Sequence, residues 1–313
     1  MRVKLVETLI ELAEEDTTVI LLTADLGFNV LEPFATRFPG RLINVGVCEE
    51  NMVGLATGLA LAGFTPYIYS IAPFAILKTL EFIRNGPTAH GLPIHILGIG
   101  DSFEYGTAGP THHNVEDVAV LRPLNLIKIL IPADQDQLVT MLKCNKNLPG
   151  PFYYRVSKDF TDTVPYLNGE FNYTYAQKIK GGSQLLFITS GIISAQVYEA
   201  AVELESHGIS ATVAIVSNFS PAPVKYLEDL LDTCDTVITV ETHVPEGGLG
   251  SLIAEIITES ETLQNKLVRF AVQQPYTFTT TTGSRSWYLQ SMGLTKDHLV
   301  QHVLKWQGVQ NED

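Results

Sequence analysis

The sequence predicts an α/β chain of two doubly wound domains, each a mainly parallel sheet covered by helices. Three observations carry this prediction. The 313 residues suffice for two domains of about 150 each. From residue 19 onward, apolar β-rich runs alternate with helical patterns. One polar stretch, 157–183, divides those runs into two series and reads as a linker.

In the first series the expected strands are "VILLTADL", "RLINVGV", "TPYIYS", "IHILGIG", "LIKILIPA" and "PFYYRV". They are nearly continuous apolar runs, as strands covered on both faces must be. In the second series the strands are "QLLFITS", "ATVAIV", "DTVITVE" and "LVRFAV", with helices near 193–207, 222–232 and 249–259. The expected division is a domain over 1–165, a linker over 166–180 and a domain over 181–313. Ligands of open α/β sheets bind beyond the carboxyl ends of strands. The polar residues to watch are therefore Asp25, Glu49, the loop after Gly98, and 241–250.

Composition narrows the function classes. Twenty basic against 34 acidic residues give a net charge of −14, which argues against nucleic acid or an anionic membrane as the target. Hydrophobic residues make up 45% and charged residues only 17%, which leaves apolar surface over for a partner. Cys48, Cys144 and Cys234 lie far apart without metal-ligand spacing, the pattern of reduced thiols in a cytoplasmic protein. The start has helical periodicity and no signal-peptide core, and no run is as long as a membrane span.

Two stretches concentrate candidate chemistry. In "NVGVCEENMVGLATGLALAGF", residues 44–64, Glu49 and Glu50 open a helix of small residues that another helix can approach closely. Glu50 fits an acid that interacts with the helix dipole. Glu49, beside a dry interface, is expected to be desolvated and protonated, and so able to donate a hydrogen bond to a ring nitrogen. The loop "GIGDSFEYGTAGPTHHNVED", residues 98–117, joins glycines to the paired His112 and His113, which can serve a polar substrate or simply be solvated. Adjacent histidines share no helix face, so no metal site is expected in this chain. Phe74 reads as core or as a cofactor platform. Arg155 reads as a fork for phosphate or carboxylate, or as an ordinary ion pair. "ETHVPEGGLGS", 241–251, lacks a phosphate-loop pattern and reads as a turn that lets the second domain pack closely.

These residues resemble the transketolase group of thiamine diphosphate enzymes. "VGVCEENMVGLATGLALAG" is similar to that family's glutamate motif, "GPTHH" to its histidine loop, and "TVITVETHVPEGGLGS" to a motif of its C-terminal domain. The resemblance covers most of the chain and implies a pyrimidine-binding domain followed by a transketolase C-terminal domain. The family holds diphosphate and Mg2+ or Ca2+ through a G-D-G motif on another domain, and this sequence contains no G-D-G. The resemblance therefore implies the smaller subunit of a split enzyme, paired with a diphosphate-binding N-terminal-half subunit in a heterotetramer. It implies a ketol transferase that moves a two-carbon unit between sugar-like substrates, with the metal held by the partner.

By motif position, Glu49 matches the activating glutamate, Asp25 the acid of the "ADL" segment, and Phe74 an aromatic against the pyrimidine. His112 matches the catalytic and substrate-binding histidine, with His113 in support. Arg155 and Arg2 match arginines that contact substrate phosphate. Three positions depart from the family: Gly100 stands where it has histidine, Asn29 where it has serine, and Ile71 where it has an aromatic. Asn29 remains a substrate-side candidate, and the departures bear on donor and acceptor recognition. The beta subunit of a 2-oxoacid dehydrogenase and a 1-deoxyxylulose-5-phosphate-synthase-like ligase share the domain pair and stand as alternatives. A non-catalytic binding module would have no need of Glu49.

Overall fold

The computed structural model describes residues 1–124, 126–158, 163–273 and 282–308. Twelve strands form among them: β1 (Val19–Thr23), β2 (Leu42–Asn44), β3 (Thr65–Ile71), β4 (His95–Ile99), β5 (Lys128–Leu130), β6 (Phe152–Val156), β7 (Gln177–Lys180), β8 (Leu185–Thr189), β9 (Ala211–Ile215), β10 (Asn218–Ser220), β11 (Thr236–Val240) and β12 (Lys266–Phe270). Seven make one sheet in the order β10-β5-β6-β4-β3-β1-β2, and five make a second in the order β12-β11-β8-β9-β7. Pairing is parallel except at β10–β5 and β7–β9.

The central strands are buried residue after residue, because helices cover both faces. On one face the helix Arg2–Glu15 buries Leu5, Val6, Leu9, Leu12 and Ala13, a stripe at helical spacing. It shares a core with Leu138, Met141 and Leu142 of the helix Gln135–Asn145. That second helix starts sharply because the Asp134 carboxylate accepts from Gln137 N at 2.8 Å. On the other face a single apolar cluster runs from Ile20, Leu22 and Ile96 of the first sheet to Leu186, Ile188 and Val237 of the second. The two sheets thus share part of one core.

Two strands were not expected. β7 lies within the stretch read as linker, of which 159–162 fall outside the described residues. It is a four-residue edge strand with Gln177 and Ile179 buried and Lys178 exposed, too short and polar to stand out. β10, "NFS", leaves the C-terminal half to pair with β5 of the first sheet through Asn218↔Leu130 and Ser220↔Ile129. The Asn218 side chain fastens it by donating to Tyr173 O (3.0 Å) and Pro221 O (2.6 Å). No described helix is long and apolar enough to cross a membrane.

Candidate functional site

The carboxyl ends of β1, β2, β3, β4 and β6 line one edge of the first sheet, and the candidate residues follow them. After β1, Asp25 turns outward with φ +57°, a conformation that Asp and Asn tolerate better than most residues. Its N–H donates to Asn44 Oδ1 at 2.9 Å, and Gly46 N donates to the same oxygen at 3.0 Å, so one amide ties the ends of β1 and β2 together. Asn29, φ +60°, continues this exposed rim, its N–H donating to Glu32 Oε1 at 2.9 Å. Asp25 and Asn29 are both exposed at this edge of the sheet.

Glu49 begins the helix Glu49–Leu61 and is 2% exposed. The sequence predicted a desolvated acid, and in the structure Lys78 Nζ stands 2.7 Å from Glu49 Oε2 and 3.4 Å from Glu50 Oε2. The hydrogen bond to Glu49 raises the Lys78 proton affinity above that of an ordinary lysine. Lys78 lies just beyond the helix Ala72–Ile76, which carries Phe74. The helix around Glu49 buries Met52, Val53, Ala56 and Ala60 against its own sheet. Its small-residue stripe faces outward: Gly54 and Gly58 have open space where a Cβ would lie, and Leu55 and Leu61 are exposed beside them.

The histidine loop separates its two rings. His112 is half-buried and packs edge-on to Phe74, with ring centroids 5.0 Å apart. Its Nδ1 lies 2.9 Å from Thr111 Oγ1, and burial lowers its proton affinity below that of a free histidine. His113 points the other way, into a slot between Phe103 (4.8 Å) and Tyr288 (4.9 Å). It is 2% exposed, so its ring is packed in the interior and any part it plays toward substrate is through His112 and not by direct contact. His112 ends a 3-10 turn over Pro110–His112, whereas His113 continues in extended backbone (φ −70°, ψ 139°), so the two rings leave the chain in different directions.

Arg155 requires a correction. It lies on β6, where a period of two puts it on the same face as Tyr153. It is 2% exposed and stands 3.4 Å from Asp117 and 3.6 Å from Asp101, so it is an interior cation and not a phosphate fork at the crevice. The cation that β6 delivers to the edge is Lys158. Its Nζ lies 5.0 Å over the Tyr105 ring, and its carbonyl accepts from Arg2 Nε at 2.9 Å. Tyr105 lies 6.2 Å from His112. Tyr105 also accounts for Gly100: with φ +99°, a Cβ there would come within 2.6 Å of the Tyr105 ring, so an aromatic fills the space that a histidine would need.

Lys78, Tyr105 and Lys158 are the residues that sequence reasoning missed. Lys158 was signalled by its place directly after a strand, three residues beyond the arginine chosen. Lys78 resembled any solvated helix lysine. A further acid, Glu104, staples the loop to the end of β6, accepting from Ser157 Oγ (2.5 Å), Lys158 N (2.6 Å) and Asp101 N (2.8 Å). Burial, and then Asp101, push its proton affinity up.

Comparison with known proteins agrees with this layout. The family described as transketolase, pyrimidine binding domain, matches residues 1–162, and transketolase, C-terminal domain, matches 174–299. An apulose-4-phosphate transketolase subunit of Phocaeicola vulgatus is 31% identical over 257 residues, 81% of this chain and 82% of that protein. The putative transketolase C-terminal section of Methanocaldococcus jannaschii is 29% identical over 303 residues, 96% and 93% of the two chains. A solved split-gene transketolase, described as an inactive beta4 tetramer, superposes with a TM-score of 0.84 at 29% identity over 96% of each chain. The chain belongs to the transketolase family, of which it carries the pyrimidine-binding and C-terminal domains.

Proposed function

We propose that the chain is the pyrimidine-side subunit of a split ketol transferase that moves a two-carbon unit between sugar-like substrates. The observation that carries this reading is Glu49, a buried acid at the carboxyl edge of the sheet, on a chain matched nearly end to end by two transketolase domains. The residues fit one half of thiamine diphosphate. Glu49 offers a carboxyl oxygen to the aminopyrimidine, Phe74 a half-buried ring, and Asp25 a carboxylate at the rim. When bound, the cofactor supplies the nucleophilic carbon that adds to a substrate carbonyl.

The chain's own residues then divide the work. Glu49 holds and moves a proton at the pyrimidine ring, with Lys78 setting its charge environment. His112 presents a ring nitrogen to the substrate oxygen that gains charge. Arg2 and Lys158 place positive charge at the far end of the crevice, where a phosphorylated or otherwise anionic sugar would end. The diphosphate and its divalent metal belong to a partner subunit. The outward stripe Gly54, Leu55, Gly58 and Leu61 is where we place that partner, beside a groove lined by Thr57, Phe82 and Gly86. A heterotetramer of two such pairs working in the cytoplasm completes the reading.

The test is to mix this chain with its purified partner subunit and to screen the complex against ketose phosphates with an aldose acceptor and against 2-oxoacids. The reading expects the aldose acceptor to be lengthened by two carbons into a new ketose, and the donor ketose to be left as an aldose two carbons shorter. Turnover of 2-oxoacids with no product from any ketose would replace it with the dehydrogenase alternative.

A further inference from the structure

We propose that Arg155 is a positioning residue through which the C-terminal domain sets the histidine loop. The guanidinium donates through Nη2 to the carbonyls of Asn114, in the loop, and of Thr242, in the C-terminal motif, the latter at 3.0 Å. Both ends of the loop are held in this way. At its start, Asp101 Oδ1 lies 3.6 Å from Arg155 and accepts from Thr242 Oγ1 at 2.8 Å. At its end, Asp117 Oδ2 lies 3.4 Å from Arg155 Nε and accepts from Asn114 Nδ2 (3.0 Å) and Tyr153 OH (2.5 Å). His112 lies two residues before Asn114.

The motif 241–250 is built for this contact. Val244 N donates to Val115 O at 2.9 Å, and Arg122 Nη1 donates to Gly247 O at 3.1 Å. His243 Nδ1 donates to Val244 O (2.7 Å), which leaves Nε2 to accept from Ala119 N at 3.3 Å. A Cβ on Gly247 would lie 2.7 Å from that of Ala119, so only glycine permits the approach. Nor is the motif a phosphate loop. The Glu241 carboxylate already takes the N–H groups of Leu249 (2.6 Å) and Gly250 (2.8 Å) that an anion would seek.

The catalytic part of this inference rests on the function proposed above, whereas the conformational part does not. Its test uses Thr242→Val, Arg155→Met and Arg155→Lys. In the chain by itself, NMR titration of the His112 ring reports whether the ring keeps its desolvated place against Phe74. Thr242→Val and Arg155→Met should move that titration up toward an ordinary histidine, and Arg155→Lys should move it less. In the complex with the partner, the first two should lower kcat about tenfold or more while thiamine diphosphate affinity stays within about twofold, as a loop displaced by a fraction of an ångström would.

An unshifted His112 titration in a folded Thr242→Val chain overturns the proposal, even if Arg155→Met fails to fold. A wild-type complex without ketol transfer would sink the proposed function, and the titration would still decide the role of Arg155.

Discussion

On one side of the crevice, the loop of residues 98–117 is closed within the chain itself: Arg155 of β6 and Val244 of the C-terminal half hold its backbone, Thr242 bonds the Asp101 side chain, and His113 is buried behind it. On the other side, the helix Glu49–Leu61 turns exposed leucines and bare glycines to the outside, and Val47 just before it is 75% exposed. The same sheet edge thus has one finished wall and one open wall. The difference teaches which function belongs to which covalent chain. On the function proposed above, the finished wall is the one that orients substrate, and the open wall is the one that meets the cofactor together with a partner subunit.

The largest effect should come at the open wall. Glu49→Gln is expected to leave assembly intact and slow proton exchange at C2 of bound thiamine diphosphate by about 10² or more, or roughly 3 kcal/mol. An unchanged exchange rate would remove Glu49 from the chemistry and erase the contrast.

At the finished wall the two histidines should part. His113→Ala empties a slot between two aromatic rings and should cost about 2–3 kcal/mol of stability, read by denaturant unfolding. His112→Ala should leave stability nearly unchanged, spare C2 exchange and reduce turnover. If His112→Ala is the more destabilising change, the roles of the two histidines have been misassigned.

Legibility in the sequence followed the same division. Strand period and residue type exposed the sheets, and the segments that follow β2 and β4 pointed to Glu49 and to the histidine loop as candidates. For Arg155 the fork and the ion pair could not be told apart from sequence, because every residue of β6 is buried. Strands covered on both faces lose the inside–outside alternation that tells an arginine of the crevice from one of the interior. Lys78 was hidden because its partner lies 29 positions away. β7 and β10 are three or four residues long, too short for any period.

A smaller effect tests the open wall as a docking face. Leu61→Lys places a charge on the exposed apolar stripe and should weaken association with the partner about tenfold while leaving the free subunit's unfolding midpoint in place. Undiminished association, measured by calorimetry, would move the docking face elsewhere.

The smallest effect concerns the seam. Burial pushes Glu241 up from 4.5 to about 7 and His243 down from 6.5 to about 4. Between 4.5 and 7 the native state keeps a Glu241 proton that the unfolded chain has lost, so this group's contribution falls as pH rises. Between 4 and 6.5 the unfolded chain binds a His243 proton that the native state refuses, so that contribution rises with pH. The two oppose each other over most of their range. Glu241→Gln should therefore unmask stability that climbs as pH increases up to about 6.5, visible as a rising unfolding midpoint. A midpoint that falls over that interval would show that the signs are wrong.

The most direct test of the central claim, that this chain holds one wall of a shared site, compares the subunit alone with the subunit mixed with its diphosphate-binding partner. Thiamine diphosphate binding by calorimetry and ketol transfer by product analysis are measured on the same preparations, with mass spectrometry showing the first to be free of partner. The account predicts weak binding and no transfer from the chain alone, and both restored on mixing. Robust turnover by the partner-free chain would contradict it.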